Sequence, residues 1–269
     1  MKPGRALRLA PHLGLALLMS AQASFGETPQ GPPNSLVQGF IRFMAYHEAG
    51  HLLMNQIQGI NASTWPIEDI ERYADEIAAI LLVPDADDPD GVEEIVGAAN
   101  GWLKAGAGYT SKDPHAPPQE RAFNIICYVY GSDPQGFRDF EQYVKPEWNC
   151  AEKFKATDDE VEEGFVNNTG DAGIPIQLSY SEPRPEMQDA KEFLQESGIL
   201  EDLIKDIEAD FKLTRPTKLV AMNCKGAGDE GTFHFDTFQN DDPAKNFDRI
   251  AICYELVDMW MKAKIDLPE

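Results

Sequence analysis

The chain has 269 residues, 42% of them hydrophobic and 10% aromatic, which supplies a packed core and excludes a chain disordered throughout. Its 23 basic residues stand against 46 acidic ones, a net charge of −23. Such a surface repels phosphate backbones and anionic lipid heads, which excludes nucleic acid and membrane surfaces as natural partners.

Residues 1–8 carry Lys2, Arg5 and Arg8 and no acid, 13–21 form a short apolar run, and small residues follow at Ala21, Ala23, Ser24 and Gly26. Basic, then apolar, then small is the order of a secretory signal, here 1–26, and the run is too short to stay as a membrane anchor. The expectation is an exported protein, periplasmic or extracellular, with one domain over 27–269 and no membrane span after cleavage. Four cysteines follow, Cys127, Cys150, Cys224 and Cys253. An even count in an exported chain suggests two disulfides. Of three pairings, the one that keeps each bridge within a local segment is favoured, Cys127–Cys150 and Cys224–Cys253. Their spacing is too wide for a zinc knuckle.

Along the chain, 27–33 is a Pro-rich lead, and Asn34 or Ser35 can cap a helix. Leu36, Val37, Phe40, Ile41, Met44, Leu52, Leu53 and Ile57 recur at helical spacing up to Gln58, where Gly59 ends the pattern. A second helix follows Pro66 and stops near Pro84. Residues 85–90 read as a solvated acidic linker, 92–104 and 120–130 as helices, 109–118 as a loop, 133–155 as mixed, and 157–165 as a helix with acids in its first turn. A strand is expected near 174–179, then one or two helices over 184–213 broken at Ser197-Gly198. Segments 218–223, 231–238 and 249–254 are rich in β-branched and aromatic residues and read as strands, with a last helix over 255–264. The fold class is therefore α+β: mostly helical over 34–213, strand-rich over 216–254.

The first helix contains His47-Glu48-Ala49-Gly50-His51. Imidazoles at i and i+4 share one helix face and can reach one ion, and Glu48 beside them can act on a water there as general base. A catalytic zinc needs a third protein ligand and an open position. Glu71 lies 20 residues after His51 on the next helix, with Asp75 one turn further on the same face; a carboxylate there can accept the free N–H of a ligand imidazole. Asp75 and Glu76 stay open as alternative third ligands.

The pattern HExxH followed by ExxxD on a second helix resembles the thermolysin-type zinc peptidases, the gluzincins. That resemblance implies one Zn²⁺ held by His47, His51 and Glu71, with Glu48 as base and Asp75 orienting a ligand histidine. A wider resemblance, carried by HEAGH at 47–51, DPH at 113–115, QERAFNIIC at 119–127 and ICYEL at 252–256, is to a bacterial family of exported metallopeptidases. It implies a zincin-like, zinc-peptidase fold and supplies no substrate; a peptide or protein substrate is the expectation of the peptidase reading itself.

A peptidase also needs a donor for the developing oxyanion. His115 is the first candidate; Tyr46, Tyr109 and Tyr254 are others, and His234 reads as an ordinary sheet residue. In zinc peptidases of this kind a small sheet usually precedes the active helix, and its edge strand holds the substrate backbone. Here the strands must come from 218–254, a rearranged order, and the idea requires them to lie close to the first helix. Two other readings stand beside the peptidase: a non-catalytic exported protein that keeps zinc, and an amidase acting on cell-wall peptides.

Overall fold

A computed structural model describes residues 35–56, 64–106, 114–166, 173–224 and 232–263. The signal expected over 1–26, the first helix's end at Gln58 and Gly59, and Tyr109 lie outside the described residues. Eight α-helices and a four-stranded mixed sheet account for most of what is described, an α+β fold. No described helix is long and apolar enough to cross a membrane.

Helix α1 (Ser35–Gln56) is buried on nearly every side, from Val37 and Phe40 through Tyr46, Leu52 and Leu53. A helix apolar all round belongs in the middle of a core, and α2 (Ile67–Leu82) and α3 (Pro89–Ala105) pack against it. Phe40 sits edge-on to Trp102 of α3 at 5.1 Å and to Trp260 at 4.4 Å. One glycine sets the spacing that matters here. A Cβ on Gly50 would lie 2.9 Å from both Cα and the carbonyl oxygen of Ala74, so only a bare backbone lets α1 approach α2 this closely.

Helix α4 (Pro118–Ser132) packs on α3, and α5 (Cys150–Val166) packs on α4. Two boundaries differ from those expected. The 85–90 linker is cut short because Asp88 caps α3 by accepting from the Gly91 amide, which puts Pro89 and Asp90 in the first turn. Helix α5 starts seven residues before Thr157, directly after Asn149 turns the backbone left-handed at φ 48°. Its first residue, Cys150, is bridged to Cys127 of α4.

Strand β1 (Ile176–Tyr180) leads to α6 (Gln188–Ser197) and α7 (Ile199–Asp210), which are separated at Gly198 with φ 67°. Strands β2 (Thr217–Met222), β3 (His234–Phe238) and β4 (Phe247–Cys253) follow, then α8 (Tyr254–Ala263). The sheet order is β1-β2-β4-β3; β1, β2 and β4 are parallel, and β3 is an antiparallel edge. Strand β1 thus extends the sheet beyond the 218–254 segment. Cys224 and Cys253 are bridged, which ties the end of β2 to the end of β4.

The sheet is fixed to the end of α1. Gln56 donates to Asp248 Oδ2 (2.7 Å) and Thr217 Oγ1 (3.0 Å), while its own oxygen accepts from the backbone amides of Thr214 (2.9 Å) and Arg215 (3.0 Å). Asn55, four residues after His51, donates to Thr237 Oγ1 of the edge strand at 2.8 Å. Asp248 is fully buried and is also gripped by Arg215 at 2.8 Å, so its charge is paired and hydrogen-bonded as burial demands. The strands from 218–254 therefore lie against α1, one turn beyond His51.

Candidate metal centre

Three donor atoms from α1 and α2 meet at one point. His47 Nε2 lies 3.2 Å from His51 Nε2, and Glu71 Oε2 lies 3.2 Å from each of them. The triangle is equilateral. Four ligands around an ion at bonds of about 2.0–2.1 Å stand about 3.3 Å apart, so the three atoms match three corners of a zinc-sized tetrahedron. The convergence buries Glu71 Oε2 among the imidazoles, and the two ring nitrogens of α1 are themselves within hydrogen-bonding distance of each other. The donor set is also apt: two imidazoles and a carboxylate suit zinc.

Of the three acids left open by the sequence, only Glu71 faces both imidazoles. Glu76 turns away to Arg72 at 3.1 Å and Lys153 at 3.7 Å. Asp75 lies behind His47, its Oδ1 2.8 Å from Nδ1, and so fixes which ring nitrogen faces the cluster. His115, in the loop before α4, brings Nε2 to within 2.9 Å of Glu71 Oε2, and its side chain is 31% exposed. Glu48 follows His47 on α1 and is 8% exposed. The two tyrosines that can be placed are committed elsewhere: Tyr46 donates to Asp206 at 2.5 Å and is wholly buried, and Tyr254 donates to the Ser181 carbonyl at 3.0 Å. His234 lies on β3, as the sequence suggests.

Arg121 is the residue that sequence reasoning missed. It is 4% exposed, donates from Nε to Asp75 Oδ2 at 2.7 Å and from Nη2 to Asp75 Oδ1 at 2.5 Å, and stacks 3.5 Å above the Trp102 ring. The sequence shows only a cation among the apolar positions of QERAFNIIC, with nothing local to name its partner.

The electrostatics follow from this packing. Burial opposes the charge on His47, but Asp75 and Glu71 outweigh it as acceptors and push its pKa up to about 9. Burial likewise opposes the charge on Asp75, yet Arg121 and His47 hold it down at about 2. The three imidazoles around Glu71 keep its carboxyl ionised far below the usual carboxylate range, against the cost of burial. Two anions are thus poised at a cluster of imidazoles, an arrangement that could hold a divalent cation in place of protons.

The model of a family described as "Putative metallopeptidase" matches residues 16–162, more than half of the chain. No curated protein and no solved structure matches. The matched stretch holds His47, Glu48, His51, Glu71, Asp75, His115 and Arg121 and stops short of every strand of the sheet. The chain belongs to the family so described.

Proposed function

We propose that the protein is an exported zinc-dependent peptidase in which His47, His51 and Glu71 hold the metal. The observation that carries this reading is the 3.2 Å triangle formed by their donor atoms. A bound zinc ion would lower the pKa of a water molecule toward neutrality and polarise a carbonyl oxygen. Glu48 takes the proton from the attacking water and passes it to the leaving amine. His115, partly exposed beside Glu71, would donate to the oxyanion that forms at the substrate carbonyl. Asp75, held by Arg121, keeps His47 in the tautomer whose Nε2 is free for the metal.

The substrate is a peptide or protein segment that adds to the outer edge of β3, the antiparallel strand among the described ones, which Asn55 ties to α1. With the catalytic helix first in the chain and the sheet last, this is a zincin-like layout in rearranged order. Export over the signal at 1–26 agrees with two disulfides among the described residues. Glu48→Gln tests the reading: metal content should stay at one zinc per chain while cleavage of a peptide library falls by about 10²–10⁴-fold. No cleavage by either form, with zinc retained, would leave a zinc-containing binding protein; equal cleavage by both would remove Glu48 as the base; and cleavage of cell-wall stem peptides alone would make it an amidase.

A further inference from the structure

We propose that the Cys224–Cys253 disulfide covers a second metal site, and that the reduced chain binds zinc through Cys224, Cys253 and His234. The three residues come from adjacent strands at one end of the sheet: Cys224 follows β2, Cys253 ends β4, and His234 opens β3. Both sulfurs and a ring nitrogen of His234 lie within 4.8 Å of one another. Both cysteines are fully buried, and His234 is partly so.

The geometry tolerates an ion. Two thiolates on one tetrahedral zinc, with bonds of about 2.3 Å, stand about 3.8 Å apart. Cα atoms at 5.4 Å allow that separation by side-chain rotation, with the strands left in register. The Thr232 carbonyl oxygen lies 3.2 Å from His234 Nδ1 and 2.6 Å from Cys253 Sγ. A backbone carbonyl beside a ligand imidazole is the usual means of fixing its plane. Two cysteines beside a histidine make a disulfide in an oxidising compartment and a metal site in a reducing one.

The chemistry balances. A dithiol reductant gives two electrons and two protons to the disulfide, becoming a cyclic disulfide and leaving two protein thiols. Zinc then displaces both thiol protons. The ion would stitch β2, β4 and β3 together, whereas the disulfide joins only the first two. Any environment that opens the bridge would therefore leave the edge strand pinned, provided zinc is present.

The test does not involve peptidase activity, so it stands or falls apart from the proposed function. The full chain is reduced with a dithiol, freed of it without air, and titrated with cobalt(II) as a spectroscopic stand-in for zinc. A thiolate-to-cobalt charge-transfer band in the near ultraviolet is expected, which the His47, His51 and Glu71 cluster cannot give because it has no sulfur. The band should be absent in Cys224→Ser/Cys253→Ser, which keeps the Cys127 and Cys150 thiols as an internal control. His234→Ala should keep the fold and bind cobalt at least about tenfold more weakly at this band. Added zinc should raise the melting temperature of the reduced wild type more than that of reduced His234→Ala. No sulfur band in the wild type, the same band in the double variant, or unchanged affinity in His234→Ala would overturn the proposal.

Discussion

Arg121 grips both oxygens of Asp75 from beneath, at 2.7 and 2.5 Å, and is itself pressed flat on Trp102. The carboxylate that orients His47 is thus held by a buried cation. Replacing Arg121 with Met should leave Asp75 buried without its counter-charge. That costs about 3–5 kcal/mol of stability, read as a lowered melting temperature, and weakens zinc by about 10- to 100-fold. Arg121→Lys should recover little, because an ammonium cannot reproduce the two-pronged contact. Unchanged zinc affinity in both variants would detach Arg121 from the site.

The metal-free protein should show a stability maximum bounded by two titrations. His47 has a pKa raised to about 9 in the folded chain, against about 6.5 when unfolded. Its contribution is complete below about pH 6.5 and is lost as pH rises through about 9. Asp75, lowered to about 2, contributes fully above about pH 4 and loses that contribution as pH falls through about 2. Melting temperatures of the metal-free protein should therefore fall between pH 6.5 and 9. Saturating zinc should abolish this fall, since a ligand imidazole is neutral, and zinc addition near pH 7.5 should release protons measurable by calorimetry in buffers of different ionisation heat. A metal-free melting temperature that climbs from pH 6.5 to 9 would contradict the role given to His47.

His115→Ala separates binding from chemistry. His115 touches Glu71 at 2.9 Å, but it is not among the three residues whose donor atoms cluster tightly. Zinc content should stay near one per chain, while kcat falls by about 10²–10³-fold with a smaller change in KM. Loss of zinc in step with activity would make His115 a ligand instead.

Gly50→Ala probes the helix crossing. Its new Cβ would meet Ala74 backbone at 2.9 Å, and backbone cannot swing aside as a flexible side chain can. The two helices must part, at a cost of about 1–3 kcal/mol. Because the donor triangle is built across that crossing, zinc affinity should drop by more than in a surface control such as Glu196→Ala. A melting temperature and zinc affinity equal to wild type would show that α2 moves freely.

Much of the cluster could be read in the sequence because it depends on helical periodicity. A spacing of four puts His47 and His51 on one face whatever surrounds them, and Glu71 and Asp75 repeat that spacing on α2. Local disulfide pairing was legible for a similar reason, since each bridge closes a short segment. Arg121 was not legible: its role depends on α4 lying against α3 and α2, a tertiary fact with no local period. The start of α5 was obscured by a left-handed asparagine, a conformation that composition does not announce. Strand β1 showed its apolar alternation, but its place beside β2 was set by parallel pairing across two intervening helices.

Gln56 uses every hydrogen-bonding atom of its side chain on residues 214–248, although it stands only five positions after His51. The partners that hold the end of α1 are therefore synthesised long after it. A nascent chain that has already produced both histidines must wait about 160 to 200 further residues before α1 acquires its anchor. Assembly with such distant partners is slow; under the export we propose, that delay would keep the polypeptide threadable until it had crossed a membrane.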